Sequence, residues 1–226
     1  MNLRSILLCI TALCLLSLSA SASVLIWDQT EVRVDMKPDQ TEAKASYTVT
    51  NNGDETLRIA RVKTSCGCTG SVIDRKILEP GESTEIRATF NKGKRKGKNH
   101  SKLDVYLDSQ PDAVATLHFI INIPELIVAQ PRVIYWNSRN TKSPRTIRVE
   151  LDSNYVNELS AINYDKSQLS VTKEPVSDKN AKHQYTLTVT PNSYETDMRA
   201  TIELEASGPN RTKGNTKIHA FVQGVK

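Results

Sequence analysis

Cys66-Gly67-Cys68 is the stretch of this 226-residue chain best equipped for chemistry. Two thiols at this spacing have three options. They can bridge to each other, since residues i and i+2 come within disulfide reach when the backbone between them bends, and Gly67 lends that backbone freedom. As thiolates they can jointly clasp a soft metal ion such as copper(I), which takes sulfur ligands at low coordination number. One of them can serve as a nucleophile if a base stands close by. A bridge here would close a very short loop and so restrict the unfolded chain by only about 1–2 kcal/mol, which makes it a poor staple. If strained, it would exchange with other thiols more readily than an ordinary structural disulfide. No further cofactor is expected.

The other chemistry-bearing residues do not gather around the pair. Structural zinc needs four ligands, and none of His100, His118, His183 and His219 has ligand spacing to the cysteines. His118 and His219 alternate with apolar residues, as outward-facing strand positions do. His100 falls in a basic stretch and His183 in a polar turn. The chain has no H-E-x-x-H, no G-x-S-x-G and no phosphate-binding glycine loop, the arrangements that metalloproteases, serine hydrolases and nucleotide enzymes require. These observations predict a protein that is not an enzyme.

The first 22 residues, from Met1 to Ala22, set the compartment. Arg4 precedes an apolar run from Ile6 to Leu18, and Ala20-Ser21-Ala22 follows the small-x-small rule of a secretory leader. The run is shorter than the roughly 20 residues a membrane span needs. Cleavage near Ala22 would remove Cys9 and Cys14, leaving Cys66 and Cys68 as the cysteines of a periplasmic or secreted chain with no transmembrane segment. In an oxidising compartment a disulfide is the default state of paired cysteines.

Charge is uneven. The formal net charge is only +5, yet Lys92, Lys94, Arg95, Lys96, Lys98 and Lys102 crowd into one stretch without an acid. With aromatics at 5% there is no base-stacking platform, and nucleic acid is not an expected partner. The segment from Asn91 to Ser101 reads as the tip of a long hairpin. Its cations, Lys92, Lys94, Arg95, Lys96 and Lys98, are candidate contacts for an anionic partner, an envelope protein or an acidic polysaccharide.

Alternation with period two dictates the elements that must position these residues. Ala43, Ala45, Tyr47 and Val49 face one way, as do Ile86, Ala88 and Phe90, then Leu103, Val105 and Leu107, then Leu117, Phe119, Ile121 and Ile123. Asn52-Gly53-Asp54 and Pro80-Gly81 mark turns, the latter of type II. The second half repeats the pattern with Ile147, Val149 and Leu151, then Ala200, Ile202, Leu204 and Ala206, and finally Ile218, Ala220 and Val222. VLIW at 24–27 and VIYW at 133–136 read as matching entry strands. Short strands with regular turn signals predict an all-β chain of two immunoglobulin-like antiparallel β-sandwich domains in tandem. The expected boundaries are 1–22 for the leader, 23–123 for the first domain, 124–130 for a stiff linker and 131–226 for the second domain.

Asn51-Asn52-Gly53, Leu57-Arg58-Ile59, Val62, Ser65-Cys66-Gly67-Cys68-Thr69, Pro80-Gly81-Glu82 and Phe90 follow one another in the order found in the bacterial domain of unknown function 1573. Residues 25 to 123 resemble that family, whose modules are immunoglobulin-like and similar to those of Hydin and major sperm protein. The resemblance implies a sandwich fold and export in a bacterium, and it implies no activity. The second half lacks a Cys-x-Cys, so no site carries over to it. The expected function is that of a non-enzymatic binding or scaffolding protein of the cell envelope, with a copper(I)-type metal or thiol-redox role for Cys66 and Cys68 as the alternative.

Overall fold

The computed structural model of the chain describes residues 24–137, 142–176 and 183–224; the expected leader lies outside them. Among the described residues there are strands and one short 3-10 turn at Pro209–Arg211, but no α-helix. The first half contains β1 (Leu25–Trp27), β2 (Glu31–Asp35), β3 (Glu42–Asn51), β4 (Leu57–Thr64), β5 (Thr69–Ile73), β6 (Ile77–Leu78), β7 (Ser83–Asn91), β8 (Gly97–Leu107) and β9 (Ala113–Ile123). The second contains β10 (Ile127–Gln130), β11 (Val133–Trp136), β12 (Arg145–Leu151), β13 (Glu158–Asn163), β14 (Leu169–Pro175), β15 (Gln184–Pro191), β16 (Met198–Ser207) and β17 (Lys213–Val222).

The alternation read from the sequence decides which face of each strand is dry. Ala43, Ala45, Tyr47 and Val49 of β3, and Leu117, Phe119, Ile121 and Ile123 of β9, are all buried in a first core, with Ile59, Phe90 and Leu103 between them. A second, separate core gathers Trp136, Ile147, Val149, Leu187, Ile202, Leu204, Ile218 and Ala220. Buried apolar side chains of this kind contribute about 1.5–3 kcal/mol each relative to exposure, which is what holds the facing sheets together. Trp136 belongs wholly to the second core, where its Nε1 donates to the Ser143 carbonyl at 2.8 Å.

Each core is closed by two sheets, and the two halves repeat one topology. In the first half the orders are β1-β3-β7-β5 and β2-β9-β8-β4-β6; in the second they are β10-β12-β15-β14 and β11-β17-β16-β13. Substituting β10 for β1, β11 for β2, and so on to β17 for β9 maps one pair of sheets onto the other, with the two-residue β6 as the sole addition. In both halves the second strand runs parallel to the last, β2 on β9 and β11 on β17. The internal repeat therefore pairs VIYW of β11 with β2, not with VLIW of β1 as the sequence pattern suggested, because the topological partner of VLIW is β10.

Two other expectations change. Ile127–Gln130, expected as linker, is the edge strand β10 paired antiparallel with β12, and Ile127 and Ala129 are buried in the second core. The basic segment is not the tip of a hairpin. Strands β7 and β8 lie in different sheets, so residues 92–96 cross from one sheet to the other, while Lys98 and His100 already lie on β8. Period-two alternation identifies a strand but not its neighbour, which is why this crossing was invisible in the sequence.

Candidate functional site

The Cys-Gly-Cys turn is also a crossing between sheets. Strand β4 delivers Thr64 beside Leu103 of β8, and β5 leaves with Thr69 beside Phe90 of β7. Four residues, 65–68, make the passage. The Ser65 N–H donates to the Lys102 carbonyl at 2.9 Å, and the Asn91 N–H donates to the Cys68 carbonyl at 2.8 Å. The turn is thus tied to both sheets. Within it Cys66 and Cys68 form a disulfide with their Cα atoms 5.3 Å apart. Cys66 is half-buried, and Cys68 packs into the first core. The Cys68 N–H points at Cys66 Sγ at 3.3 Å, and Thr69 Oγ1 lies 3.9 Å from each sulfur. A disulfide offers no thiolate, so in this oxidation state the pair supplies no ligand to copper(I).

Gly67 is exposed, and a Cβ placed on it would meet nothing within 4 Å. Its φ is not positive, so the bend does not depend on glycine in the way the sequence suggested. Nor do the neighbouring cations turn toward the sulfurs as a group: the Arg61 guanidinium lies 4.0 Å over the Tyr106 ring, on the outer face of its sheet.

Other residues of the motif set build turns at the opposite end of the first half, where Asn51 donates its N–H to the Glu82 carbonyl at the start of β7, whereas Cys68 meets Asn91 at its close. Asn51 is fully buried; its Nδ2 donates to the carbonyls of Glu55 and Leu78 at 2.8 and 2.9 Å, and its Oδ1 accepts from the Gly53 N–H. Gly81 has φ +80° in the turn closed by the Glu82 N–H on the Glu79 carbonyl, the left-handed position a type II turn requires. Glu82 returns a carboxylate oxygen to the Glu79 N–H at 3.0 Å and pairs with Arg75 at 2.7 Å. That backbone N–H, more than the guanidinium, holds the Glu82 carboxyl below its ordinary value. These residues are structural, and their signal was legible as turn chemistry.

The basic residues divide. Lys92, Lys94, Arg95 and Lys96 line a groove of about 510 Å³ whose other wall comes from the second half, through Leu126, Lys213, Gly214, Asn215 and Lys217. Lys98 points elsewhere from β8 and is not part of the lining. Lys92 Nζ donates to the Pro38 carbonyl at 2.6 Å, and Lys96 Nζ donates across the groove to the Asn215 carbonyl at 2.6 Å. Desolvation, then repulsion from Arg132, lowers the Lys96 ammonium from its ordinary value. The one acid of the lining, Glu203, faces Lys217 at 3.9 Å. Glu125, beside the groove, is paired with Arg132. Gly97 ends the crossing at φ +67°, where a Cβ would come within 3.0 Å of the Glu125 carboxylate. Lys213 and Lys217 were missed by sequence reasoning, because they stand singly on an ordinary strand, with Gly214, Asn215 and Thr216 between them, and only the docking of the two halves brings them to the cluster.

No curated protein matches the sequence. Among solved structures, a protein of unknown function from Porphyromonas gingivalis W83 is 11% identical over 88% of this chain and 100% of its own, with a TM-score of 0.37. The CupB2 chaperone of Pseudomonas aeruginosa is 8% identical over 85% and 99%, with a TM-score of 0.33. The VesB protease of Vibrio cholerae is 16% identical over 44% of this chain and 32% of its own, with a TM-score of 0.36, so the match spans about a third of that protease. Scores this low carry no functional conclusion. The family comparison is of another kind, because it covers the segment that holds the disulfide. Residues 25–122 match the family described as Protein of unknown function (DUF1573), and the first half of the chain is a member of that family.

Proposed function

We propose that this chain is an exported, non-enzymatic binding or scaffolding protein of the bacterial cell envelope. In this reading the two cores are two tandem immunoglobulin-like sandwiches, and the junction between them takes an anionic partner, an acidic polysaccharide or an acidic face of an envelope protein. The observation that carries it is the groove: Lys92, Lys94, Arg95 and Lys96 from one half face Lys213 and Lys217 from the other across about 510 Å³. The acids nearby are already engaged with Lys217 and Arg132. A concave surface lined mostly by one sign of charge raises the local concentration of its counter-ion and steers its approach. Retention of the purified protein on a polygalacturonate matrix should weaken with salt, since exposed charges are screened over about 10 Å at 0.1 M. It should weaken further in Lys94→Ser/Arg95→Ser/Lys96→Ser. Unchanged retention of that variant would remove the groove from the account.

A second reading rests on the disulfide. A bridge across two residues, tied to both sheets and half-open at Cys66, suits thiol exchange with a partner dithiol better than it suits stapling the fold. Thiol counts on protein purified without reductant, before and after a stoichiometric dithiol, test this: a bridge that resists reduction at equilibrium with ordinary dithiols leaves no redox role.

A further inference from the structure

The outer face of the five-stranded sheet brings together two histidines that are 18 residues apart in sequence. Nε2 of His100, on β8, lies 2.9 Å from Nδ1 of His118, on β9. The rings stack with centroids 5.1 Å apart and planes 28° from parallel. They sit diagonally in the ladder, because the register partner of His118 is Lys102 and that of His100 is Ile120. The backbone that carries His118 is held on both sides. Its carbonyl accepts from the Tyr47 hydroxyl, which reaches up from the core at 2.9 Å, and its N–H donates to the Thr30 carbonyl at 2.7 Å. Two ring nitrogens are therefore presented together on a rigid sheet, with His100 exposed to solvent.

We infer that His100 and His118 form a bidentate site for a divalent transition-metal ion, copper(II) foremost, on the outer face of the first half. Imidazole nitrogens suit zinc, copper and nickel, and among these copper(II) binds a given nitrogen site most tightly. The two ring nitrogens, 2.9 Å apart, are close enough to share one ion once the hydrogen bond between them is broken. Binding replaces the ring-to-ring hydrogen bond with two nitrogen–metal bonds. The proton of the donor nitrogen moves to that ring's outer nitrogen, so both rings stay neutral and no redox step is involved. Among the described residues no third histidine, cysteine or acid completes the set, and Glu31, the register partner of His118, is paired with Arg33 at 2.6 Å. The remaining coordination positions are therefore available to a donor from outside the chain.

The second half supplies an internal control. Its own β17 carries His219 where β9 carries His118, because Val133 and Thr201 flank it in the register in which Glu31 and Lys102 flank His118. The position matching His100 is Arg199, the register partner of Phe221. The second half thus presents one histidine at this place, with an arginine where its partner would stand. The test is titration of the purified protein with copper(II) chloride against a competing chelator, with electron paramagnetic resonance as the readout. The expected result is one ion per chain with coupling to two imidazole nitrogens. Single variants His100→Gln and His118→Gln should each bind about tenfold more weakly or worse, since each removes one of two linked ligands. His219→Gln and Cys66→Ser/Cys68→Ser should bind as wild type does. Copper binding unchanged in His100→Gln/His118→Gln, or a wild-type spectrum lacking two imidazole nitrogens, overturns the assignment; so does loss of the ion in the cysteine variant.

Discussion

At Cys66 and Cys68 the local chemistry can be separated from the folding role. The loop the bridge closes is minimal, so its removal does little to the unfolded ensemble, while Cys68 adds some apolar contact to the first core. Cys66→Ser/Cys68→Ser should therefore lower the unfolding free energy by no more than about 2 kcal/mol in a denaturant titration; a much larger loss would make the pair a core element. Glu82 yields a second expectation. Its carboxyl titrates below the ordinary 4.5, first because of the Glu79 N–H and then because of Arg75. A carboxyl with a lowered folded-state pKa stabilises the fold fully above its unfolded value and loses that contribution as pH falls through the folded value. Glu82→Gln should accordingly be less stable than wild type above pH 4.5, and the gap should close in acid, as read from denaturation midpoints on either side. A constant gap would place the effect in packing rather than charge.

At the scale of elements, alternation exposed most of the strands and both cores. Tyr47, Phe119, Ile147 and Ile218 all point inward as the period-two pattern requires. What alternation cannot encode is the neighbour across the ladder. The crossing at 92–96 looked like a hairpin, and β10 looked like linker because four residues carry too little pattern to register. The His100–His118 pair was hidden for the same reason, since only the β8–β9 register brings the two rings into contact. Turn chemistry fared better. Pro80-Gly81 and the Asn51 segment were legible, although the depth of Asn51 was not. With three hydrogen bonds made from a fully buried amide, Asn51→Ala should strand the Glu55 and Leu78 carbonyls and the Gly53 N–H. The expected cost is about 2–3 kcal/mol, measurable by thermal or urea unfolding. A loss of only a few tenths would show that these groups find other partners.

Across the whole molecule, one topology used twice produces two different surfaces. The crossing between β7 and β8 carries four cations toward the junction, whereas its counterpart between β15 and β16, residues 192–197, carries Glu195 and Asp197. The disulfide turn likewise has no counterpart, as residues 164–168 between β13 and β14 contain no cysteine. The two halves share one scaffold, and among the described residues the disulfide and the cationic crossing belong to the first half alone. The groove exists only because the second half adds Lys213 and Lys217, two residues on a strand far away in sequence. The most direct measurement is the affinity for polygalacturonate of Lys213→Ser/Lys217→Ser, set beside that of Lys94→Ser/Arg95→Ser/Lys96→Ser. A groove shared by both halves predicts that each cluster costs roughly fivefold at low salt, with both losses vanishing as salt rises. Wild-type affinity in the Lys213→Ser/Lys217→Ser variant at low salt would contradict it.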